Sequence, residues 1–190
     1  MSEHSAADPG AVVAERTGRA AELVRRHTRW ADDFPEPGVR FADLTPVFAD
    51  PEGFRTVVDC LATLVPDVDL VAGVDARGFL LGAGVAATLG TGVLAVRKRG
   101  KLPPPVITRE YELEYGTAAL EVPATGVALE GRRVLLLDDV LATGGTLAAA
   151  ADLFRTVGAQ VVAAAVVLEI EALGGRARQG EYPVTAIVTV

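Results

Sequence analysis

The residues best suited to chemistry lie together in Val134–Thr146, VLLLDDVLATGGT. An apolar run delivers two adjacent acids, Asp138 and Asp139, and Ala142, Thr143, Gly144, Gly145 and Thr146 follow as a tight turn into a helix. A helix N-terminus offers unpaired N–H groups and partial positive charge, and glycines allow a ligand close to the backbone. A phosphate is the natural guest of such a turn, with the threonine hydroxyls as extra donors. The segment has neither the GxxxxGK[ST] of a Walker loop nor the GxGxxG dinucleotide spacing. The acids would repel a phosphate unless they hold something else: ribose hydroxyls, a divalent ion, or the loop itself through an Asp cap.

Two further segments have the same flavour. Gly73–Phe79, GVDARGF, places Asp75, Ala76, Arg77 and Gly78 at the end of another apolar run. Arg97, Lys98, Arg99 and Lys101 then form a basic cluster in a chain of net charge -7. A solvated face explains such a cluster plainly, whereas a positive segment beside two strand-end loops also grips a polyphosphate and excludes water. His4 and His27 stand at no metal-ligand spacing, and Cys60 sits in an apolar-periodic stretch as a small buried hydrophobe.

These segments need a scaffold, and the chain encodes one. Asp69–Val74 and Arg133–Leu137 read as short strands without polar alternation, the pattern of parallel strands buried on both faces. A helix over Gly78–Leu89 follows the first; a glycine-led turn feeding a helix over Thr143–Val157, then a buried strand at Val161–Leu168, follows the second. Strand, glycine loop, helix, strand is the βαβ unit, and open α/β sheets bind ligands at the carboxyl ends of such strands. Ala11–Trp30 reads as an amphipathic helix, Asp50-Pro51 as a helix start ended by Pro66, and Val184–Val188 as a last strand. Arg97–Gly116 shows no regular period until Tyr111.

The chain has 190 residues, 50% hydrophobic, with 18 Lys plus Arg against 25 Asp plus Glu. That length predicts one domain spanning residues 1–190 with a real core. The acidic excess argues against a surface made to wrap nucleic acid, and one cysteine gives no intramolecular disulfide framework. The N-terminal stretch lacks a basic flank followed by an apolar run, which predicts a cytoplasmic protein. Gly78–Val96 is free of charge, but Gly90-Thr91-Gly92 breaks it into a helix and a strand, so no membrane partner is expected.

The two acids followed by ATGGT resemble the phosphoribosyl-pyrophosphate (PRPP) motif of type I phosphoribosyltransferases. Further segments resemble the adenine-using branch of that family: FPEPGVRFADLTPVF at Phe34–Phe48, GVDARGF, RKRGKLP at Arg97–Pro103, LEYG at Leu113–Gly116 and VVLEIEALGGR at Val166–Arg176. The resemblance implies an α/β fold with a mostly parallel central sheet flanked by helices and a flexible hood loop. It implies that Asp138 and Asp139 bind the ribose hydroxyls of PRPP, that Ala142–Thr146 hold its 5'-phosphate, and that Asp75, Ala76, Arg77 and Gly78 take the pyrophosphate. Members often have a non-proline cis peptide in that last loop, here falling at Asp75–Ala76. The resemblance places Arg97, Lys98 and Lys101 in the basic part of the hood, where in dimeric relatives some of these groups reach toward pyrophosphate across the interface. Glu114 resembles the acid that handles the purine proton, with Tyr115 beside it. The resemblance also implies that backbone groups near Val39 and Phe41 would read the adenine edge. Many relatives have Phe-Arg-Asp where this chain has Phe41-Ala42-Asp43; Ala42 brings no guanidinium, and Arg40 stands two residues earlier.

The implied reaction is adenine plus PRPP giving AMP plus pyrophosphate, a purine-salvage step by a homodimer. Mg2+ is expected to arrive mainly on PRPP and pyrophosphate rather than in a protein cage. The rivals are a transferase for another base and a PRPP-sensing regulator. The regulator calls for a basic nucleic-acid-binding appendage that this acidic chain lacks.

Overall fold

The computed structural model describes residues 9–63, 67–113 and 116–190. Leu70–Val74 (β3) is buried at every position and is followed directly by Gly78–Leu89 (α4), as its apolar run and glycine start predict. α4 leads to Gly92–Lys98 (β4), which pairs in parallel with β3. On its other side β3 pairs in parallel with Arg133–Leu141 (β7), the strand that carries the acids. Gly145–Thr156 (α5) and Gln160–Glu169 (β8) complete the second βαβ unit, and Val184–Thr189 (β9) adds a further parallel strand.

Alternation along these strands divides the core into two layers. Val71, Leu135, Leu137, Ala163 and Ala165 face Pro9–His27 (α1), Thr45–Ala49 (α2), Pro51–Thr63 (α3) and α4. Ala72, Leu136, Ala164 and Val166 face α5 with its Leu147, Leu153 and Phe154. Both faces of the sheet are therefore covered, which is why its strands read as apolar runs. Asp50 caps α3 as expected: its Oδ2 accepts the Gly53 N–H at 2.6 Å. Cys60 is fully buried beneath α1, and burial pushes its thiol upward. No helix among the described residues is long and apolar enough to cross a membrane.

Three sequence readings need correction, and one element is additional to them. The first helix stops at His27, and Arg29–Ala31 (β1) instead pairs antiparallel with Phe41–Asp43 (β2). The Thr28 hydroxyl turns back on the Val24 carbonyl at 2.6 Å and closes the helix. The segment after Lys98 is not aperiodic: Val106–Leu113 (β5) and Gly116–Pro123 (β6) form an antiparallel hairpin, so the hood takes the form of a ribbon. β6 pairs antiparallel with the end of β4, giving the order β5-β6-β4-β3-β7-β8-β9. β7 runs on to Leu141 because β8 continues beside it, which puts Asp138 and Asp139 within the strand rather than past its end. α2 was not anticipated; Asp43 Oδ1 accepts the Thr45 N–H at 2.9 Å and starts it. The Pro66 helix stop lies outside the described residues, as does His4.

Candidate active site

The glycine loop is shaped by its φ angles and by what lies behind it. Gly144 has φ +80°, a left-handed conformation open to glycine, and it caps α5. A Cβ at Gly144 would stand 2.3 Å from the Gly175 carbonyl oxygen, and one at Gly175 would stand 2.1 Å from that of Ala142. The two backbones thus pack face to face with no room for a side chain. Helix geometry leaves the first N–H groups of α5 without intrahelical partners at this loop, a donor set that suits an anion.

The Asp75–Gly78 loop meets β7, the strand that leads into this loop. A Cβ on Gly78 would lie 2.6 Å from the Leu137 carbonyl oxygen and 3.4 Å from Asp138 Oδ1, so the start of α4 rests on the acid-bearing strand. Arg77 Nε reaches Asp139 Oδ2 at 2.8 Å, close enough for an ion pair but off hydrogen-bonding alignment, since that buried oxygen has no hydrogen-bond partner. The Arg77 guanidinium also lies 5.0 Å from the Phe41 ring and makes a long contact of 3.5 Å to the Ala42 carbonyl. The peptide Asp75–Ala76 is cis, as the resemblance implied.

Burial sets the electrostatics of the acid pair. Desolvation, then repulsion from Asp139, holds the Asp138 carboxyl well above the usual carboxylate range. Desolvation raises Asp139 as well, with the Arg77 charge pulling the other way. Asp138 Oδ1 accepts the Asp139 backbone N–H at 2.8 Å, which orients it. Ligand hydroxyls or a cation placed against these carboxylates would replace the water lost on folding.

The basic cluster is placed by β4. Arg97 Nε donates to Asp75 Oδ2 at 3.1 Å, and the Lys98 backbone N–H meets the same oxygen at 3.3 Å. Lys101 is exposed in the following turn. Arg99 pairs with Glu110 at 2.6 Å, tying that turn to β5. The hairpin reaches the glycine loop where the Thr146 hydroxyl lies 3.5 Å from Tyr111 OH. Glu114 and Tyr115 lie outside the described residues.

The Asp33–Val39 loop is closed by Gly38 N–H to Asp33 Oδ1 at 2.7 Å and Phe34 N–H to the Val39 carbonyl at 3.1 Å. Val39 lines a cleft of about 710 Å³ with Trp30, Arg40, Ala142, Thr143 and Leu173. Phe41 lines a neighbouring cleft of about 390 Å³ with Phe34, Asp43 and Arg77. The structure thus separates the two expected base-reading positions. Ala42 is 3% exposed and faces the core beside Leu44 and Val47, so its side-chain position does not open on either cleft. Arg40 stacks on Trp30 at 4.5 Å and lines the larger cleft.

Sequence reasoning missed the support behind the glycine loop. Glu169, 4% exposed, is held by Arg176, whose Nε donates to Oε1 at 3.0 Å and whose Nη2 pairs with Oε2. Arg176 Nη1 also donates to the Val184 carbonyl, so one guanidinium ties Gly175–Arg178 to the ends of β8 and β9. The VVLEIEALGGR segment contains Glu169, Gly175 and Arg176, and its paired glycines were the available signal. Gln179 contacts the same loop and had no signal at all. Among the described residues, no three His, Cys, Asp or Glu side chains gather as a metal cluster.

Comparison with known proteins agrees with this geometry. The chain matches the phosphoribosyl transferase domain family over residues 50–189. It is 77% identical over 188 residues to the adenine phosphoribosyltransferase of Nocardia farcinica, covering 99% of this chain and 98% of that one. It is 66% identical to that of Rhodococcus jostii, covering 90% and 97%. Among solved structures, the adenine phosphoribosyltransferase of Rhodothermus marinus superposes with a TM-score of 0.85 at 38% identity, covering 91% of this chain and 99% of that one. The Saccharomyces cerevisiae enzyme, solved with an imino-altritol bisphosphate and adenine, gives 0.83 at 32% identity, covering 90% and 99%. With the acid pair, glycine loop and Asp75–Gly78 loop at the carboxyl ends of the neighbouring central strands β3 and β7, the chain belongs to the adenine phosphoribosyltransferases of the phosphoribosyltransferase family.

Proposed function

We propose that the two strand-end loops are the halves of one PRPP site, and that the reaction is transfer of its 5-phosphoribosyl group to adenine, giving AMP and pyrophosphate. The observation that carries this is the contact of the Asp75–Gly78 loop with the acid pair on the strand that runs into the glycine loop: Gly78 abuts Asp138 and Arg77 reaches Asp139 at 2.8 Å. A ligand spanning both must carry an anion at each end and hydroxyls between, which describes PRPP. Asp138 and Asp139 accept hydrogen bonds from the ribose hydroxyls, and Ala142–Thr146 receive the 5'-phosphate. Asp75–Gly78 receive the pyrophosphate, with Arg97, Lys98 and Lys101 supplying positive charge around it.

The C1–O bond breaks with its electron pair leaving on pyrophosphate, and a purine nitrogen bonds to C1 and gives up its proton. Holding both reactants in line lowers the entropic part of the barrier, and fixed cations stabilise the departing charge. Glu114 takes the purine proton in this reading, with Tyr115 beside it, and Val39, with Arg40 and Trp30, lines the cleft for the base. A Mg2+ ion would be held mainly by the oxygens of PRPP and pyrophosphate and by its own waters, with Asp138 and Asp139 engaged by the ribose hydroxyls beside it. When bound, that ion would neutralise developing pyrophosphate charge.

A homodimer belongs to the proposal. α4 is apolar on all sides, and Leu80 and Val93 are 52% and 50% exposed beside exposed Ala83 and Ala87. A second copy seated there would lie beside the Asp75–Gly78 loop from which α4 starts. The chain works as one domain, supported by α1 and α3 sharing a core with the sheet, and in the cytoplasm, where a lone buried thiol is at home. Neither nucleic acid nor membrane enters this scheme. A PRPP- and Mg2+-dependent assay across a panel of bases, following pyrophosphate release, tests the reading. Adenine turnover is expected; turnover of another base without adenine would overturn it. Glu114→Gln should cut the chemical step by about 100-fold or more.

A further inference from the structure

Glycines let the phosphate loop bend, but they leave its peptide planes unset. Gly144 and Gly145 adjoin, so neither residue has a Cβ to restrict rotation of the peptide between them. The first hydrogen bond of α5, from the Ala148 N–H to the Gly144 carbonyl at 3.0 Å, gives that plane one anchor, and a second anchor from outside the loop would hold it more firmly.

Gln179 is placed to do this. Its Nε2 donates to the Gly144 carbonyl at 3.1 Å and to the Gly175 carbonyl at 2.9 Å. Its Oε1 accepts the Tyr182 hydroxyl at 3.0 Å. The amide orientation follows from these partners, because a flipped amide would set its oxygen against two carbonyl oxygens. The Gly144 carbonyl also accepts the Ala148 N–H at 3.0 Å in the first turn of α5. In a trans peptide the N–H points opposite to the C=O, so anchoring the Gly144 carbonyl on Gln179 and Ala148 turns the Gly145 N–H away from them.

We propose that Gln179 is a positioning residue for the transferase reaction, its amide holding the Gly144–Gly145 peptide in the orientation that receives the 5'-phosphate, with Tyr182 holding the amide. This rests on the reading of Ala142–Thr146 as the phosphate loop. Gln179 acts through the backbone and does not touch substrate.

Gln179→Met keeps the length and removes the donors, and Tyr182→Phe removes only the hydroxyl. Both residues border a cavity of about 570 Å³, so either change fits without repacking the core. Gln179→Met is expected to raise KM for PRPP and weaken calorimetric binding of ribose 5-phosphate by about five- to tenfold, with Tyr182→Phe giving about three- to fivefold. kcat, KM for adenine and the affinity for pyrophosphate should stay within about twofold, since the other loop is untouched. A lowered Tm with unchanged ribose 5-phosphate affinity would mark Gln179 as merely structural and overturn the proposal. Thr146→Ala separates the two readings. If it leaves ribose 5-phosphate affinity unchanged, the phosphate-loop reading fails and takes the proposal with it. If it weakens binding while both other variants bind normally, the Gln179 role alone falls. Should Gln179→Met not fold, the Tyr182→Phe result decides.

Discussion

Replacing Gly175 with alanine probes how tightly the glycine loop, proposed to receive the 5'-phosphate, is held from behind. The new Cβ would stand 2.1 Å from the Ala142 carbonyl oxygen and 2.9 Å from the Gly144 nitrogen, both backbone atoms that no rotamer change can move aside. Real Cβ contacts essentially never fall under 3.0 Å, so the two backbones must separate by the difference, roughly 0.9 Å. Displacement of about 1 Å at a positioning contact costs on the order of 100-fold in rate, and overpacking costs about 1–3 kcal/mol of stability. Gly175→Ala is therefore expected to lose about 10- to 100-fold in kcat/KM for PRPP. Gly174→Ala is the matched control: its φ of +65° imposes a backbone cost of about 1–2 kcal/mol, but its added Cβ meets nothing within 4 Å. It should lower Tm and leave PRPP kinetics within about twofold. Initial rates at varied PRPP and saturating adenine, paired with thermal melts, give both quantities. Wild-type kcat/KM in Gly175→Ala, or equal kinetic losses in both variants, would refute the idea that Gly175 sets the loop's shape.

Three other outcomes follow from the same structure. The acid pair is held above the ordinary carboxylate value of 3.8, so from about pH 4 upward the folded state binds more protons than the unfolded one, and stability falls as pH rises through the native values. Asp138→Asn should flatten that slope and raise the ligand-free Tm at pH 7 while weakening PRPP by about tenfold or more; an unchanged or lower Tm would contradict the burial argument. Arg176→Ala strips the buried Glu169 carboxylate of its fork and should cost about 2–4 kcal/mol in urea unfolding, whereas a loss under about 0.5 kcal/mol would show that the clamp contributes little. Leu80→Asp puts a charge on the exposed apolar face of α4 and should give a monomer by sedimentation velocity; a persistent dimer would place the interface elsewhere.

The sequence alone determined the parts whose signals are local. Apolar runs ending in glycine loops specify β3–α4 and β7–α5, because a strand buried on both faces and a helix N-terminus each need particular residue types at adjacent positions. The same locality made the acid pair, the glycine loop and the Asp75–Gly78 loop legible as groups suited to an anionic ligand. Tertiary structure decided what depends on residues distant in the chain. The β5–β6 hairpin gains its regularity from pairing across strands, so Arg97–Gly116 carries little period of its own. The face of Ala42 is fixed by β1 pairing with β2, which turns it into the core. Arg77 meets Asp139 only because β3 and β7 are neighbours. Gln179, an ordinary polar residue in GRARQGE, gains its contacts because the turn after β8 folds back onto two glycines. Hydrogen bonds to a carbonyl thirty-five residues away leave no mark in local composition. The chain wrote down which groups the site contains, and long-range packing decided which of them meet and how rigidly they are held.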